Sequence, residues 1–219
     1  MKIEAKNVEA NAYLALPNEQ PAPGVLVLHP WWGLNKDIEG VCDRLAEAGF
    51  VAMAPDLYDG CIATTINEAE KYSEAMNEDI AKAVVKAALN ELLAHEACRG
   101  GKVGVIGFSL GASFAVQITH DQSERVASVV LFYGLGWAEQ TKTQASYLGH
   151  FAENDPYEDD AYREHFEQKL KDNGRPVTFH IYPGTGHWFF ERSRPDAYDK
   201  AAAELAWERT LSFLSQTLR

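Results

Sequence analysis

Cysteine is scarce in this chain of 219 residues, which holds only Cys42, Cys61 and Cys98. An odd count without metal-type spacing points away from a disulfide framework. Long hydrophobic runs are missing as well. No stretch approaches the roughly 18 apolar residues that a bilayer span needs. The opening MKIEAKNVEANAY has no continuous apolar core of the kind a signal peptide carries. Positive charge is in short supply: 20 Lys and Arg against 32 Asp and Glu leave a formal net charge of −12. That balance argues against nucleic acid or an anionic membrane as a main partner. It constrains a small substrate little, because a local pocket can differ from the global field. Internal repeats, low-complexity tracts and long Pro-, Gly- or Ser-rich linkers are absent, so residues 1–219 read as a single domain around one core. The expectation is a cytoplasmic protein, monomeric or homodimeric, with neither nucleic acid nor membrane as partner.

What the chain does have is an alternation of short apolar runs with helical stripes. GVLVLH (24–29), FVAMAPDLY (50–58), VGVI (103–106), VASVVLFYG (126–134), ASYLGHF (145–151) and VTFHIY (177–182) read as strands. Between them, Ile38, Val41, Leu45 and Ala48 form a stripe that Asn35 could cap, and Ile80, Val84, Ala88 and Leu92 form another, ended by Gly100-Gly101. A further helix runs to about His120, and Ala203, Trp207, Leu211, Leu214 and Leu218 mark a closing one. Strands apolar on both faces and alternating with helices imply a mostly parallel sheet covered on each side, an α/β fold. ANAYLAL (10–16) reads as an antiparallel edge strand. Ligands of such sheets sit at the carboxyl ends of the strands.

One such end carries Gly107-Phe108-Ser109-Leu110-Gly111. A serine hydroxyl attacks only when a base takes its proton, and a sharp strand-to-helix turn presents it to substrate. Flanking glycines relieve the crowding of that turn. The Leu110 amide would then face a developing oxyanion at the positive end of a helix. A close-packed junction with Ser109 bound to backbone explains the glycines equally well, but leaves two further sites unexplained. The first is His187, which follows the last strand through Pro183, Gly184 and Gly186 and is the candidate base. His95, His120 and His165 read as helix or surface residues, His150 and His180 as strand residues, and His29 as a neighbour of the site. The second is Asp155 in GHFAENDPY, the candidate acid, where the turn alone, or Glu153 or Asp159 as acid instead, remain open. Nucleophile, acid and base in this chain order match the α/β-hydrolase arrangement. The Trp31 amide in HPWWGLN offers a second oxyanion donor, since Pro30 has no N–H. Trp31, Trp32, Tyr133 and Trp188 would make an aromatic rim around a small pocket, with Trp32, Tyr133 and Trp188 as substrate contacts, although core packing accounts for any one of them as well. HEAC (95–98) lacks a fourth ligand and makes no metal site.

Taken together these stretches resemble the dienelactone hydrolase family of α/β-hydrolases, the carboxymethylenebutenolidase-like proteins. The resemblance rests on VLHPWWGLN, APDLY, GVIGFSLGA, LGHFAENDP, YPGTGHWFF and RPDAYDKAAAELAWERTLSFL, in that order from about residue 20 onward. It implies the α/β-hydrolase fold, a triad of Ser109, Asp155 and His187, and oxyanion amides at Trp31 and Leu110. Founding members use cysteine where Ser109 stands, and a glutamate where Pro30 stands. The two changes agree, since a serine gains nothing from a group that helps to form a thiolate. An arginine that often follows the histidine is met here by Glu191, then Arg192 and Arg194, which makes Arg192 the candidate for substrate binding. Residues 59–77 match poorly and read as a variable cap or rim. The implied activity is hydrolysis of a small carboxylic ester or lactone through an acyl-enzyme, without metal or organic cofactor. An acyltransferase, a small peptidase or a non-catalytic binder are the other readings.

Overall fold

The computed structural model describes residues 1–6, 8–137 and 142–218. Eight strands form one sheet in the order β1-β2-β4-β3-β5-β6-β7-β8. They are β1 (Lys2–Ala5), β2 (Val8–Ala15), β3 (Ala22–Leu28), β4 (Val51–Pro55), β5 (Cys98–Phe108), β6 (Val126–Phe132), β7 (Ser146–Asn154) and β8 (Val177–Gly186). The β1–β2 and β2–β4 pairs are antiparallel, and every other neighbouring pair is parallel. The helices are α1 (Lys36–Glu47), α2 (Ile66–Ala75), α3 (Glu78–Ala94), α4 (Leu110–Asp121), α5 (Asp160–Asp172) and α6 (Lys200–Leu218).

Successive strand residues point to opposite faces, and here both faces are apolar. Leu26, Leu28, Val105, Val129 and Leu131 pack under α3, α4 and α5 against Val84, Leu89, Phe114, Ile118 and Phe166. Val25, Val27, Ile106, Val130 and Phe132 face α1 and α6 through Ile38, Val41, Leu45, Trp207 and Leu214. That two-sided burial is why these strands are near-continuous apolar runs. As expected, Asn35 caps α1, its Oδ1 accepting the Asp37 and Ile38 N–H groups.

Several boundaries differ from the sequence reading. The helix before Gly100 ends at Ala94, and Gly100-Gly101 lie inside β5, whose first residues pair with β3 through Ala22↔Cys98 and Pro23↔Arg99. The stretch read as an edge strand is flanked by β1, too short to show a period, whose Ile3 and Ala5 turn inward. The charged run after Asp159 is α5, which buries Phe166 and Leu170 along a narrow stripe. Within 59–77, a capping box between Thr65 and Glu68 starts α2. No helix among the described residues is long and apolar enough to cross a membrane. The parallel strands bring the exits after Leu28, Pro55, Phe108, Phe132, Asn154 and Gly186 to one edge of the sheet.

Candidate active site

Ser109 occupies the step between β5 and α4 with φ 48° and ψ −114°. A side chain held in that region costs on the order of 1–3 kcal/mol, so surrounding contacts must enforce it. They do. The Ser109 N–H donates to the Phe132 carbonyl at 2.9 Å, and its own carbonyl accepts the Ala112 N–H at 2.8 Å. A Cβ at Gly107 would lie 2.5 Å from the Gly111 carbonyl oxygen, and one at Gly111 would lie 2.2 Å from that of Leu28. The first glycine closes the turn; the second seats the start of α4 against the β3 exit. Gly134, which sequence reasoning passed over, has the same role from β6, where a Cβ would meet the Ser109 carbonyl oxygen at 2.5 Å.

From this elbow the Ser109 Oγ reaches His187 Nε2 at 2.8 Å. His187 Nδ1 reaches both Asp155 oxygens at 2.8 Å. With the proton on Nδ1 donated to the carboxylate, Nε2 is left to accept from the hydroxyl. Both side chains are nearly enclosed, at 4% and 5% exposure. The three residues come from three separate strand exits.

The rival acids have other work. Glu153 Oε2 accepts the Gly184 N–H at 2.9 Å and so braces the loop that delivers His187. Asp159 Oδ1 accepts the Tyr162 N–H and caps α5. Asp155 also serves its turn, because its Oδ1 accepts the Tyr157 N–H at 3.0 Å. Glu158 stands nearby, its carboxyl pushed up to about 7 by burial and then by the charge of Asp155. The remaining histidines are placed elsewhere. His150 is buried between the Tyr182 and Thr210 hydroxyls, and His120 pairs with Asp121.

On the other side of Ser109, Leu110 opens α4, so its N–H has no partner within the helix. Neither this amide nor that of Trp31 has an acceptor among the described residues. The buried indole nitrogens of Trp31, Trp32 and Trp188 are likewise unpaired among them. The three rings form one cluster, Trp31 stacked on Trp188 at 6.0 Å with Trp32 edge-on to both.

Of the four expected substrate contacts, Tyr133, Trp32 and Trp188 are buried and Arg192 is exposed. Tyr133 is fully buried; its ring lies 5.1 Å from that of His187 and its hydroxyl donates to Glu191 Oε1 at 2.9 Å. It backs the histidine and offers no surface to a ligand. Trp32 is 2% exposed and lies under the Arg194 guanidinium at 4.4 Å. Arg192 is exposed and forms no hydrogen bond or ion pair with the triad; the positive charge it acts on is Arg44, whose guanidinium lies over Trp207. Trp188 is buried next to His187. The accessible rim is Trp31 together with Tyr157, which is 49% exposed and edge-on to Trp31. Tyr157 was legible as the residue closing the Asn154-Asp155-Pro156 turn. Glu191 gave no such signal. It is buried, and its carboxyl is pushed up to about 8, mainly by burial and further by Asp37, against the lowering effects of Tyr133 and Arg194.

Two cavities adjoin this region. One of about 340 Å³ opens beside Leu110 between Ser73, Met76, Ser113, Phe114 and Trp137. The other, about 330 Å³, lies behind the β4 exit between Tyr58, Tyr72 and Ile80 and touches none of the triad. Among the described residues no group of three or more His, Cys, Asp or Glu is placed to hold a metal ion.

Comparison with known proteins gives the family and the fold. The model of the dienelactone hydrolase family matches residues 10–218. The chain is 32% identical over 229 residues to Protein usf of Aquifex pyrophilus, covering all of this chain and 98% of that one. It is 32% identical over 221 residues to a probable 2-oxo-3-(5-oxofuran-2-ylidene)propanoate lactonase of a Bradyrhizobium species, covering 93% and 88%. Among solved structures, a dienelactone hydrolase-like promiscuous phosphotriesterase from metagenomic libraries superimposes with a TM-score of 0.88 at 21% identity, covering 100% and 98%.

Proposed function

Since the chain belongs to the dienelactone hydrolase family, we propose that it is a serine hydrolase that cleaves small carboxylic esters or lactones through an acyl-enzyme on Ser109. The observation that carries this reading is the unbroken chain of 2.8 Å hydrogen bonds from Ser109 through His187 to Asp155.

The Ser109 oxygen attacks the carbonyl carbon while Nε2 of His187 takes its proton, and Asp155 stabilises the imidazolium that forms. The carbonyl oxygen becomes an oxyanion, received by the Trp31 and Leu110 amides; these have no other acceptor to surrender. Collapse breaks the bond to the alcohol oxygen, which leaves with the proton from Nε2. Water then enters, gives its proton to His187 and attacks the acyl-enzyme, so the acid is released and Ser109 recovers its hydrogen. With a lactone the leaving alcohol stays tethered to the acyl group. The chain's own side chains and amides account for each proton in this sequence. A cavity of about 340 Å³ lies beside Leu110 along α4, a volume at the low end of ligand sites.

The test is a fluorophosphonate, with intact-mass analysis and peptide mapping. A single adduct on Ser109, absent in His187→Ala, supports the scheme, and slow turnover of p-nitrophenyl acetate should accompany it. A folded wild-type protein that takes no adduct and turns over no activated ester would sink it and favour a binding protein. Faster capture of the acyl group by added amines or thiols than by water would shift the reading to an acyltransferase.

A further inference from the structure

His29 takes no part in those proton transfers, yet it is fully buried and both ring nitrogens are engaged. Its Nε2 lies 3.0 Å from the Leu57 nitrogen, which can only donate. Nε2 is therefore the bare nitrogen, and the proton sits on Nδ1. Nδ1 lies 2.7 Å from the Pro30 carbonyl oxygen and donates to it. The Gly33 N–H donates to the same oxygen at 3.1 Å.

That oxygen belongs to the peptide unit whose N–H is the Trp31 amide. The unit is planar, and in its trans form carbonyl and N–H point in opposite directions. Two donors that hold the oxygen on one side thus aim the N–H on the other. Donation to a carbonyl also polarises the amide and makes its N–H a stronger donor. The loop lies against the elbow, since a Cβ at Gly111 in the first turn of α4 would meet the Leu28 and His29 carbonyl oxygens at 2.2 and 2.7 Å. We propose that His29 is a positioning residue for the oxyanion hole, setting the direction and donor strength of the Trp31 amide through the Pro30–Trp31 peptide.

The surroundings keep the ring in the state this requires. Burial disfavours the imidazolium, outweighing Asp56 and the Pro30 carbonyl, which favour it. A proton on Nε2 would face the Leu57 N–H, donor against donor. Tyr58 packs edge-on to the ring at 5.2 Å and limits its rotation.

The inference rests on the oxyanion assignment above, so its test begins from wild-type protein already shown to form the Ser109 adduct. Asparagine places its amide nitrogen near the Nδ1 position; glutamine reaches the Nε2 position only. His29→Asn should keep the donor to Pro30, and His29→Gln should keep the acceptor for Leu57. With p-nitrophenyl acetate, His29→Gln is expected to lower kcat by about 10–100-fold, less than the loss of a whole oxyanion donor. KM should stay within about threefold, and His29→Asn should keep most of the wild-type kcat. Equal losses in both variants, or none in His29→Gln, overturn the proposal and leave His29 a strand tie.

A measurement on the wild type covers the case in which the variants do not fold. Phosphonylation of Ser109 puts a strongly polarised phosphoryl oxygen in the hole, and the Trp31 amide proton and the His29 Nδ1 proton should both shift in the NMR spectrum. A Trp31 amide that moves without the His29 proton, or neither moving, overturns the coupling. Absence of the adduct in wild-type protein counts instead against the hydrolase reading itself.

Discussion

The two sides of Ser109 use their polar groups in opposite ways. Toward β7 and β8, the Ser109 hydroxyl, both nitrogens of His187 and both oxygens of Asp155 are hydrogen-bonded to one another. Toward β3 and α4, the amides of Trp31 and Leu110 and the buried indole nitrogens of Trp31 and Trp32 have no acceptor among the described residues. In the proposed mechanism the first side is a proton relay, which must know where its protons are before substrate arrives, so its bonds are made in the resting protein. The proposed oxyanion donors of the second side would serve a charge that exists only during reaction, and closing them in advance would forfeit their effect. Leaving a buried donor unpaired costs about 1–3 kcal/mol, which the packing around the indoles must offset.

Breaking the saturated side should have the largest effect. Ser109→Ala or His187→Ala is expected to lower kcat by about 10⁵-fold or more, and Asp155→Asn by about 10⁴-fold, with the fold unchanged by circular dichroism. The asparagine presents an amide N–H that favours the wrong tautomer of His187. An Asp155→Asn variant with near wild-type turnover would remove the argument for a pre-formed relay. The seam between the two sides should respond next. In Gly111→Ala the new Cβ would lie 2.2 Å from the Leu28 carbonyl oxygen, so β3 or α4 must move. Loss of about 1–3 kcal/mol in denaturant unfolding is expected, as for other overpacked sites, together with reduced kcat. Full stability in that variant would mean the seam is looser than it looks.

Glu191→Gln should have the smallest effect at neutral pH and a clear one on the pH profile. The folded carboxyl titrates near 8 against an ordinary value of 4.5. Between those values the folded protein holds a proton that the unfolded chain has released, so stability falls as pH rises and this contribution is gone above the folded value. Thermal unfolding of the wild type should therefore drop between about pH 4.5 and 8, and Glu191→Gln should flatten the drop. Parallel curves for the two proteins would show that Glu191 is already ionised.

How much of this was legible depended on whether a signal was local. Apolar strands buried on both faces announce themselves without tertiary information, and so do turn residues placed after them, which is how Ser109, Asp155 and His187 were found. The depth of an aromatic is not local: Tyr133 and Trp32 read as rim residues because nothing in their neighbours states that Glu191 and Arg194 close over them. Helix α5 hid behind its charges, since Arg163 is buried yet keeps its guanidinium over the Phe151 ring at 5.6 Å. His29 was noticed for its place at a strand end, but its role depends on which nitrogen carries the proton, and only the Leu57 and Pro30 contacts decide that.

The indole cluster also has an optical consequence. Trp31 and Trp188 are stacked at 6.0 Å with planes 25° apart, and Trp32 stands 5.4 and 5.2 Å from them. Excited states of chromophores so close are shared between rings, and their fixed handedness gives them a strong circular dichroism of their own. One of these rings sits on the loop that offers the Trp31 amide and another follows the histidine. A molecule that displaces either loop would change the coupling, so arrival at Ser109 could be followed by polarised light alone, with no label and no turnover.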